Sequence, residues 1–292
     1  MRFHKYQALG NDYLVLEVPG AGDAVPSPEL VRAVCDRHFG VGADGVLVES
    51  AAPGGRLALR IFNPDGSEAE KSGNGLRIFA RYLWDRGQVG GEVFEVATRG
   101  GVARCQIRDA GRAVFVEMGV ASFDALVIPV AGPRREVVDE ELEVGGERLR
   151  FTAVSVGNPH CVVFVDAPTP ELARRLGPSL EAHPVFPRRT NVQFARVVDR
   201  GRIELEIWER GAGYTLASGS SACAAAAAAV RLGLCDGEVT VAMPGGELAI
   251  TVAADYGLTM FGPVRKVAEG AVAEELLRDV FAREGPRPAG AR

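Results

Sequence analysis

The sequence predicts a mixed α/β fold made of two related halves, in which strands surround two central helices. Short segments of strand-like composition, such as 57–62 and 203–208, are bounded by Gly, Pro, Asn or Asp, which favour turns. Two other stretches, 75–86 and 220–232, are apolar around much of their circumference. Because a helix of that kind is typically enclosed, we expect strands to wrap both of them.

Paired features at nearly one offset indicate that the two halves are related. The dipeptide Gly-Asn at 10–11 precedes a strand-like segment, and Gly-Asn at 157–158 precedes another, 147 positions later (157 minus 10). Ser-Gly at 72–73 opens the first apolar helix, and Ser-Gly at 218–219 opens the second, 146 positions later (218 minus 72). Agreement of the two offsets to within one residue predicts a duplicated unit with pseudo-twofold symmetry.

Composition excludes several classes of function. The chain has 292 residues and a formal net charge of -5, which argues against a nucleic-acid partner because phosphate binding needs a basic face. Its five cysteines lie far apart, without the spacing of a metal site. The start of the chain does not resemble a signal peptide, and the longest small apolar run is too short to cross a bilayer. We therefore expect a cytoplasmic protein with free thiols and no bound metal.

The two Ser-Gly turns are candidate anion sites. The first amides of a helix and its positive dipole end attract a carboxylate. Two such helix ends, at Ser72 and Ser218, could hold a small carboxylate-bearing molecule between two side-chain oxygens. The alternative is that both serines are only N-caps, which is one of the commonest roles of serine.

Polar residues next to turns form a second group of candidates. Four asparagines could recognise the donors and acceptors of a zwitterion without adding net charge: Asn11, Asn63, Asn158 and Asn191. The alternative for each is a plain turn residue.

A third group combines charge with one imidazole. Glu209 could bind an ammonium group, and Arg210 could bind a carboxylate through two parallel hydrogen bonds. The alternative is a solvated charge pair at the end of a strand. His160 is a candidate acid or base because of its ordinary pKa range, although a single histidine is more often structural.

Eight short motifs, in order from residue 3 to residue 246, make the chain resemble the diaminopimelate epimerase family of cofactor-independent amino-acid epimerases. They are FHKYQALGND at 3–12, HFGVGADG at 38–45, NPDGSEAE at 63–70, GNGLR at 73–77, GNPH at 157–160, RTNV at 189–192, ERG at 209–211 and MPGG at 243–246. One such motif would mean little, but eight in family order are highly specific.

The resemblance implies two similar α/β domains, each a strongly curved and mostly antiparallel sheet around a central helix, with the active site in the cleft between them. We place the first domain at 1–118 together with a C-terminal segment, 263–292, and the second at 119–262. The resemblance also implies a small amino-acid substrate, no pyridoxal phosphate or other cofactor, and a place in lysine biosynthesis. It allows a homodimer.

The resemblance also implies roles for particular residues. The amino-acid end of the substrate would be bound by the side chains of Asn11, Asn63, Asn158, Asn191, Glu209 and Arg210. Its carboxylate would accept hydrogen bonds from the backbone of Gly73, Asn74, Gly219 and Ser220. The two helix N-termini would stabilise negative charge as the α-proton leaves.

One departure from the family pattern bears on the chemistry. Family members carry two catalytic cysteines, one a thiolate base and the other a thiol acid, where this chain has Ser72 and Ser218. A helix N-terminus readily lowers the pKa of a thiol into the working range, whereas a serine hydroxyl needs an adjacent base. We expect these serines in the two catalytic positions, with His160 as a possible auxiliary acid or base. We also expect weak or altered interconversion of LL- and meso-diaminopimelate.

Three interpretations of the serines remain open. They could be engineered replacements, although Ile78 and Ser221 also differ from the usual Cys and Gly of the family. The chain could be a natural variant that uses other bases or a substrate with a more acidic C–H bond. It could also be a catalytically silent amino-acid-binding protein. Related folds host dehydratases and double-bond isomerases, which form a further alternative supported by fold-level analogy alone.

Overall fold

Strands outnumber helices in both halves of the chain, as the turn-bounded segments predict. The computed structural model describes residues 1–18, 25–52 and 56–284. Its strands are β1 (Arg2–Ala8), β2 (Asn11–Glu17), β3 (Val46–Ala52), β4 (Arg56–Phe62), β5 (Glu68–Ala69), β6 (Val93–Thr98), β7 (Gly101–Arg108), β8 (Ala113–Val120), β9 (Glu140–Val144), β10 (Glu147–Ser155), β11 (Pro159–Phe164), β12 (Asn191–Asp199), β13 (Arg202–Glu209), β14 (Gly213–Thr215), β15 (Glu238–Met243), β16 (Gly246–Val252), β17 (Gly257–Pro263) and β18 (Arg265–Ala271). Its α-helices are α1 (Pro28–Cys35), α2 (Gly73–Asp85), α3 (Pro170–Glu181), α4 (Gly219–Arg231) and α5 (Glu274–Glu284).

The chain divides into two units. The first comprises 1–112 and 264–292, and the second comprises 113–263. The predicted domain boundary at 118 lies six residues later than the first division, because β8 pairs antiparallel with β17 inside the second unit. The end of the predicted C-terminal segment, 285–292, lies outside the described residues.

The two units repeat one topology. The first has the strand order β18-β1-β2-β3-β4-β6-β7, with β5 hairpinned onto β4. The second has the order β9-β10-β11-β12-β13-β15-β16-β17-β8, with β14 hairpinned onto β13. Neighbours are antiparallel except for β2 with β3 and β4 with β6, and for their counterparts β11 with β12 and β13 with β15. Each sheet is thus mostly antiparallel, and the fold class is confirmed.

The helices occupy matching places in this topology. Within the first unit α1 connects β2 to β3 and α2 lies between β5 and β6. Within the second, α3 connects β11 to β12 and α4 lies between β14 and β15. Parallel neighbours need such a crossover connection, whereas antiparallel neighbours are joined by hairpins. The duplication therefore extends from the paired motifs to the order of the central strands and to the helices that connect them, while β17 and β8 extend the second sheet.

Each sheet curves around its central helix. Helix α2 packs against β1, β2, β4 and β7, and α4 packs against β10, β11, β12, β13, β15, β16 and β17. Both helices are buried along most of their length, and the side chains 222–229 of α4 are fully enclosed. Alanine has the highest helix propensity, and its small side chain lets strands approach closely. The predicted enclosure of both helices is confirmed.

Both central helices also end alike. Gly87 follows α2 with φ 69°, and Gly233 follows α4 with φ 71°. A left-handed residue at this position closes a helix, and glycine adopts it without a Cβ penalty. The two glycines are 146 positions apart (233 minus 87), the same offset as the two Ser-Gly turns. Among the described residues no helix is long and apolar enough to cross a membrane.

Candidate active site

Ser72 caps the N-terminus of α2. Its backbone is extended (φ -140°, ψ 121°), and its Oγ accepts a hydrogen bond from the Gly75 amide at 3.0 Å. The first intrahelical bond runs from the Leu76 amide to the Ser72 carbonyl, so the amides of Gly73 and Asn74 precede the helical ladder. The Tyr13 hydroxyl lies 3.4 Å from Ser72 Oγ. The serine is therefore an N-cap whose hydroxyl lies at the positive end of the helix dipole.

Ser218 has the same geometry at the N-terminus of α4. Its backbone angles are φ -143° and ψ 123°, and its Oγ accepts a longer hydrogen bond, 3.4 Å, from the Ser221 amide. The Ser220 hydroxyl lies 3.4 Å from Ser218 Oγ. Ser218 is almost fully buried, whereas Ser72 is partly exposed. The contacts of both hydroxyls are thus backbone amides and other hydroxyls.

Asn11 and Asn74 connect the N-terminus of α2, the first helix mouth, to the start of β2; the N-terminus of α4 is the second helix mouth. Asn74 Nδ2 donates to Asn11 Oδ1 at 3.0 Å, and Asn11 Nδ2 donates to Asp44 Oδ2 at 3.0 Å. The Arg77 guanidinium donates to Asn74 Oδ1 at 2.7 Å. Both ends of both amides therefore have protein partners, and a ligand could still accept from the backbone amide of Asn74 or from the second N–H of Asn11 Nδ2.

Asn63 closes the turn between β4 and β5. Its Nδ2 donates to Ser67 Oγ at 3.0 Å, and its backbone amide donates to the Ser67 carbonyl at 2.8 Å. The side chain is exposed. These contacts of Asn63 lie within the turn itself.

Asn158 contacts the ring of His160. Asn158 Oδ1 lies 2.9 Å from His160 Nε2, and the imidazole is fully buried. Burial lowers the pKa of His160 from 6.5 to about 3, although a contact with the Gln193 side chain acts in the opposite direction. The ring is thus neutral at neutral pH.

Asn191 joins two of the motifs found in the sequence. Its Nδ2 donates to the Pro159 carbonyl at 2.8 Å, and its Oδ1 accepts from the Arg210 amide at 3.0 Å. The residue is 7% exposed. Its side chain therefore positions the backbone on either side of it, and both of its polar ends have protein partners.

The loop that carries Arg210 has a second brace, Glu181. Its carboxylate accepts from the Gly211 amide at 3.0 Å and from Trp208 Nε1 at 2.8 Å. Arg210 itself is exposed, and its guanidinium donates to the Arg188 carbonyl at 3.3 Å. Glu209, at the end of β13, is partly buried. This loop therefore presents an anchored cation and carboxylate.

Comparison with known proteins decides the family. The family model described as diaminopimelate epimerase matches residues 3–123 and 152–267. The chain belongs to the diaminopimelate epimerase family. Diaminopimelate epimerase 2 of Nostoc sp. (strain PCC 7120) is 52% identical over 97% of this chain and 98% of its own. The diaminopimelate epimerase of Moorella thermoacetica is 44% identical over 92% of this chain and 98% of its own.

Solved structures agree on the fold. A probable proline racemase from Agrobacterium radiobacter K84 superposes with a TM-score of 0.69 at 15% identity, covering 93% of this chain and 92% of its own. At that identity the similarity concerns the fold alone. The resemblance carried by the eight motifs is confirmed, and with it the assignment of the chain to a family of isomerases that work without pyridoxal phosphate.

Several residues that shape this family member's site are absent from the sequence-based candidates. Tyr13 contacts Ser72, Asp44 binds Asn11, Glu181 holds the Arg210 loop, and Gln193 and Ser221 lie beside His160 and Ser218. Asp44 lies inside the motif at 38–45, and Gln193 directly follows the motif at 189–192, so their positions could have marked them as candidates. No sequence signal marks Glu181, because its partners come from segments 27 and 30 positions away.

The buried imidazole should make stability depend on pH. The folded pKa of His160, about 3, lies below its ordinary value of 6.5. The unfolded chain therefore takes up a proton as pH falls through about 6.5, and the folded chain does not until about pH 3. We expect the free energy of unfolding to decrease across this window, by at most ~1.4 kcal/mol per pH unit from this residue.

His160→Gln isolates that contribution, since every other ionisable residue is present in both proteins. Urea unfolding between pH 6.5 and pH 4.5 should give a steeper loss of stability in the unmodified protein than in the variant. Equal slopes would show that the imidazole is accessible to protons in the folded state.

Proposed function

We propose that this chain binds diaminopimelate and interconverts its LL and meso forms by two-base proton transfer at Cα, with Ser72 and Ser218 in the two acid/base positions. The observation that carries the proposal is the matched pair of capped helix mouths. Each unit supplies one serine at a helix N-terminus, with backbone angles that agree within 3°. Two-base chemistry needs one acid/base group for each face of the α-carbon, and the two units together supply two such serines.

The substrate contacts follow from the chemistry of each helix mouth. The backbone amides of Gly73 and Asn74, and of Gly219 and Ser220, are donors suited to an α-carboxylate. Glu209 would attract the α-ammonium group and Arg210 a carboxylate. Asn11, Asn63 and Asn158 would contribute amide groups from their turns. Asn191 would act by holding the Asn158 and Arg210 segments in place.

The proton transfer itself would be slow. One hydroxyl oxygen must take the α-proton, the electron pair left on Cα must be stabilised by the helix ends, and the other hydroxyl must return a proton to the opposite face. A neutral hydroxyl is a poor base. We therefore propose an activity below ordinary epimerase rates by roughly 10⁴-fold or more, since one positioned acid or base contributes ~10²–10⁴.

A catalytically silent amino-acid-binding protein is the second candidate. The observation that favours it is that both hydroxyls contact backbone amides and other hydroxyls, none of which is a general base. Without such a base the serines would serve as caps and anion contacts only.

We also propose a cytoplasmic location and a homodimer. The five cysteines are buried thiols outside any disulfide bond, which suits a reducing compartment. Size-exclusion chromatography with light scattering would measure the assembly state, and a mass of one chain would contradict the dimer.

Incubation in deuterated water distinguishes the candidate activities. LL-diaminopimelate and trans-3-hydroxyproline, whose hydroxyl is on the carbon next to Cα and can leave after Cα deprotonation, should be incubated separately, and the products followed by mass spectrometry and chiral chromatography. We expect slow deuterium incorporation at Cα of diaminopimelate together with the meso form. Release of a keto acid from hydroxyproline would favour a dehydratase, and no change in either compound would favour the silent binder.

A further inference from the structure

Two buried polar atoms of the second unit lack hydrogen-bond partners within the described part of the chain. They are His160 Nδ1 and Gln193 Oε1, and both residues are fully enclosed. Each such atom carries a desolvation cost unless it is paired. Strands β11 and β12 pair in parallel with His160 opposite Asn191, so Gln193 lies diagonally across from His160 on the same face of the sheet, and its side chain acts on the pKa of the ring. The two unsatisfied atoms therefore belong to neighbouring groups.

The surrounding contacts form an almost continuous chain. Asn158 Oδ1 lies 2.9 Å from His160 Nε2 at one end. Gln193 Nε2 lies 3.0 Å from Ser221 Oγ at the other, and the Ser221 amide donates to Ser218 Oγ. A half-turn of one terminal amide, which exchanges its oxygen and nitrogen without changing its shape, could complete the chain.

Only one of the two possible half-turns satisfies every hydroxyl and ring nitrogen. With the Gln193 amide turned, Ser221 Oγ–H donates to Gln193 Oε1, Gln193 Nε2–H donates to His160 Nδ1, and His160 Nε2–H donates to Asn158 Oδ1. With the Asn158 amide turned instead, Gln193 donates to Ser221 Oγ and the Ser221 hydroxyl proton has no acceptor, because Gln193 is its one side-chain partner among the described residues. Ser221 is fully buried, so that arrangement is the costlier one.

We propose that Gln193 and Ser221 are positioning residues, which keep the His160 proton on Nε2 and thereby hold Asn158 with its oxygen toward the ring and its amide nitrogen toward the ligand. Asn158 is partly exposed, unlike the other three members of the chain. Because the buried Ser221 fixes this orientation, the partly exposed Asn158 side chain presents the two N–H donors of its amide. These donors match a carboxylate and not an ammonium group. This inference rests on the proposed function only where it names the ligand.

The position of the proton on His160 is directly measurable. Nitrogen-15 NMR distinguishes the Nε2–H tautomer, the Nδ1–H tautomer and the charged ring, and the chain has four histidines, so three serve as internal references. Gln193→Glu supplies the opposite tautomer, because a carboxylate beside Nδ1 can only accept. The unmodified protein should show a neutral ring with the proton on Nε2. A spectrum matching that of Gln193→Glu would overturn the proposal.

Ser221→Ala tests the remote control of that tautomer. Loss of the hydroxyl removes the donor to Gln193 Oε1, which is then free to accept from His160 Nδ1–H. We expect the proton to move to Nδ1 in Ser221→Ala and to stay on Nε2 in Ser220→Ala, a matched change one position away whose hydroxyl contacts Ser218 Oγ and not Gln193. No movement in Ser221→Ala would overturn the positioning role.

Calorimetry with LL-diaminopimelate tests whether the orientation of the Asn158 amide affects ligand binding. The affinity should fall roughly tenfold in Ser221→Ala, the equivalent of one lost hydrogen bond. A shifted tautomer with unchanged affinity would overturn the orienting of Asn158 toward the ligand. If the unmodified protein does not bind diaminopimelate at all, the proposed function fails, while the tautomer measurement still decides the hydrogen-bond chain.

Discussion

Replacing both Ser72 and Ser218 by cysteine should raise the rate of diaminopimelate epimerisation by about 10⁴-fold or more. The N-terminus of a helix lowers the pKa of a thiol, so that a thiolate base and a thiol acid coexist near neutral pH. The hydroxyls at these two helix mouths hold the right cap geometry but lack that acidity. Since one positioned acid or base contributes ~10²–10⁴, two together account for the expected gain.

The initial rate of conversion from the LL to the meso form measures this effect. Either single replacement should increase the logarithm of the epimerisation rate by far less than half of the increase that the double replacement gives, because the two groups act as a unit. Ser220→Cys is the matched control, since it puts a thiol on the same turn but not at the cap. A double variant no faster than the unmodified protein, or an unmodified protein that already turns over at ordinary rates of 1–10³ per second, would contradict the account of the serines.

Asn191→Leu should lower the free energy of unfolding by about 2–4 kcal/mol. The change removes both the donor to the Pro159 carbonyl and the acceptor for the Arg210 amide. A buried polar group that loses its partner costs ~1–3 kcal/mol. Since both bonded segments carry proposed ligand contacts, the affinity for diaminopimelate should fall together with the stability.

Urea denaturation at constant pH would measure the stability change. Asn63→Ala is the control, because its amide bonds within an exposed turn and should cost only about 0.5 kcal/mol. Equal losses of stability in the two variants would mean that Asn191 does not hold the Pro159 and Arg210 segments together, and that its amide is free to act on a ligand directly.

The central helices were predictable because their signals are local. The stretches 75–86 and 220–232 correspond to α2 and α4 with ends displaced by at most two residues. Helices α1 and α3 are not among the predicted helices, although a capping residue followed by Pro-Glu-Leu opens both, at 27–30 and at 169–172. Proline in the first turn after a Ser or Thr cap is itself a helix signal, and the pair also repeats across the duplication.

The partners of the polar side chains could not be predicted from the motifs. Asn74, Asn158 and Asn191 each stand beside a turn, and a turn residue can direct its amide either to protein or to ligand. The structure assigns Asn191 to two backbone groups 32 and 19 positions away. Pairing of β8 with β17 joins segments still further apart, since Ala113 lies opposite Pro263, 150 positions along the chain. Such long-range contacts depend on how the segments fold together, which no local pattern specifies.

We propose that the chain keeps amino-acid-binding groups of the diaminopimelate epimerase kind although serines stand in both acid/base positions. Isothermal titration of LL-diaminopimelate into the unmodified protein tests it most directly, with cadaverine, which lacks both α-carboxylates, as the matched control compound. We predict saturable binding of one diaminopimelate per chain and no binding of cadaverine, since the helix N-termini need an anion. No saturable binding of diaminopimelate, or equal binding of the two compounds, would contradict the claim.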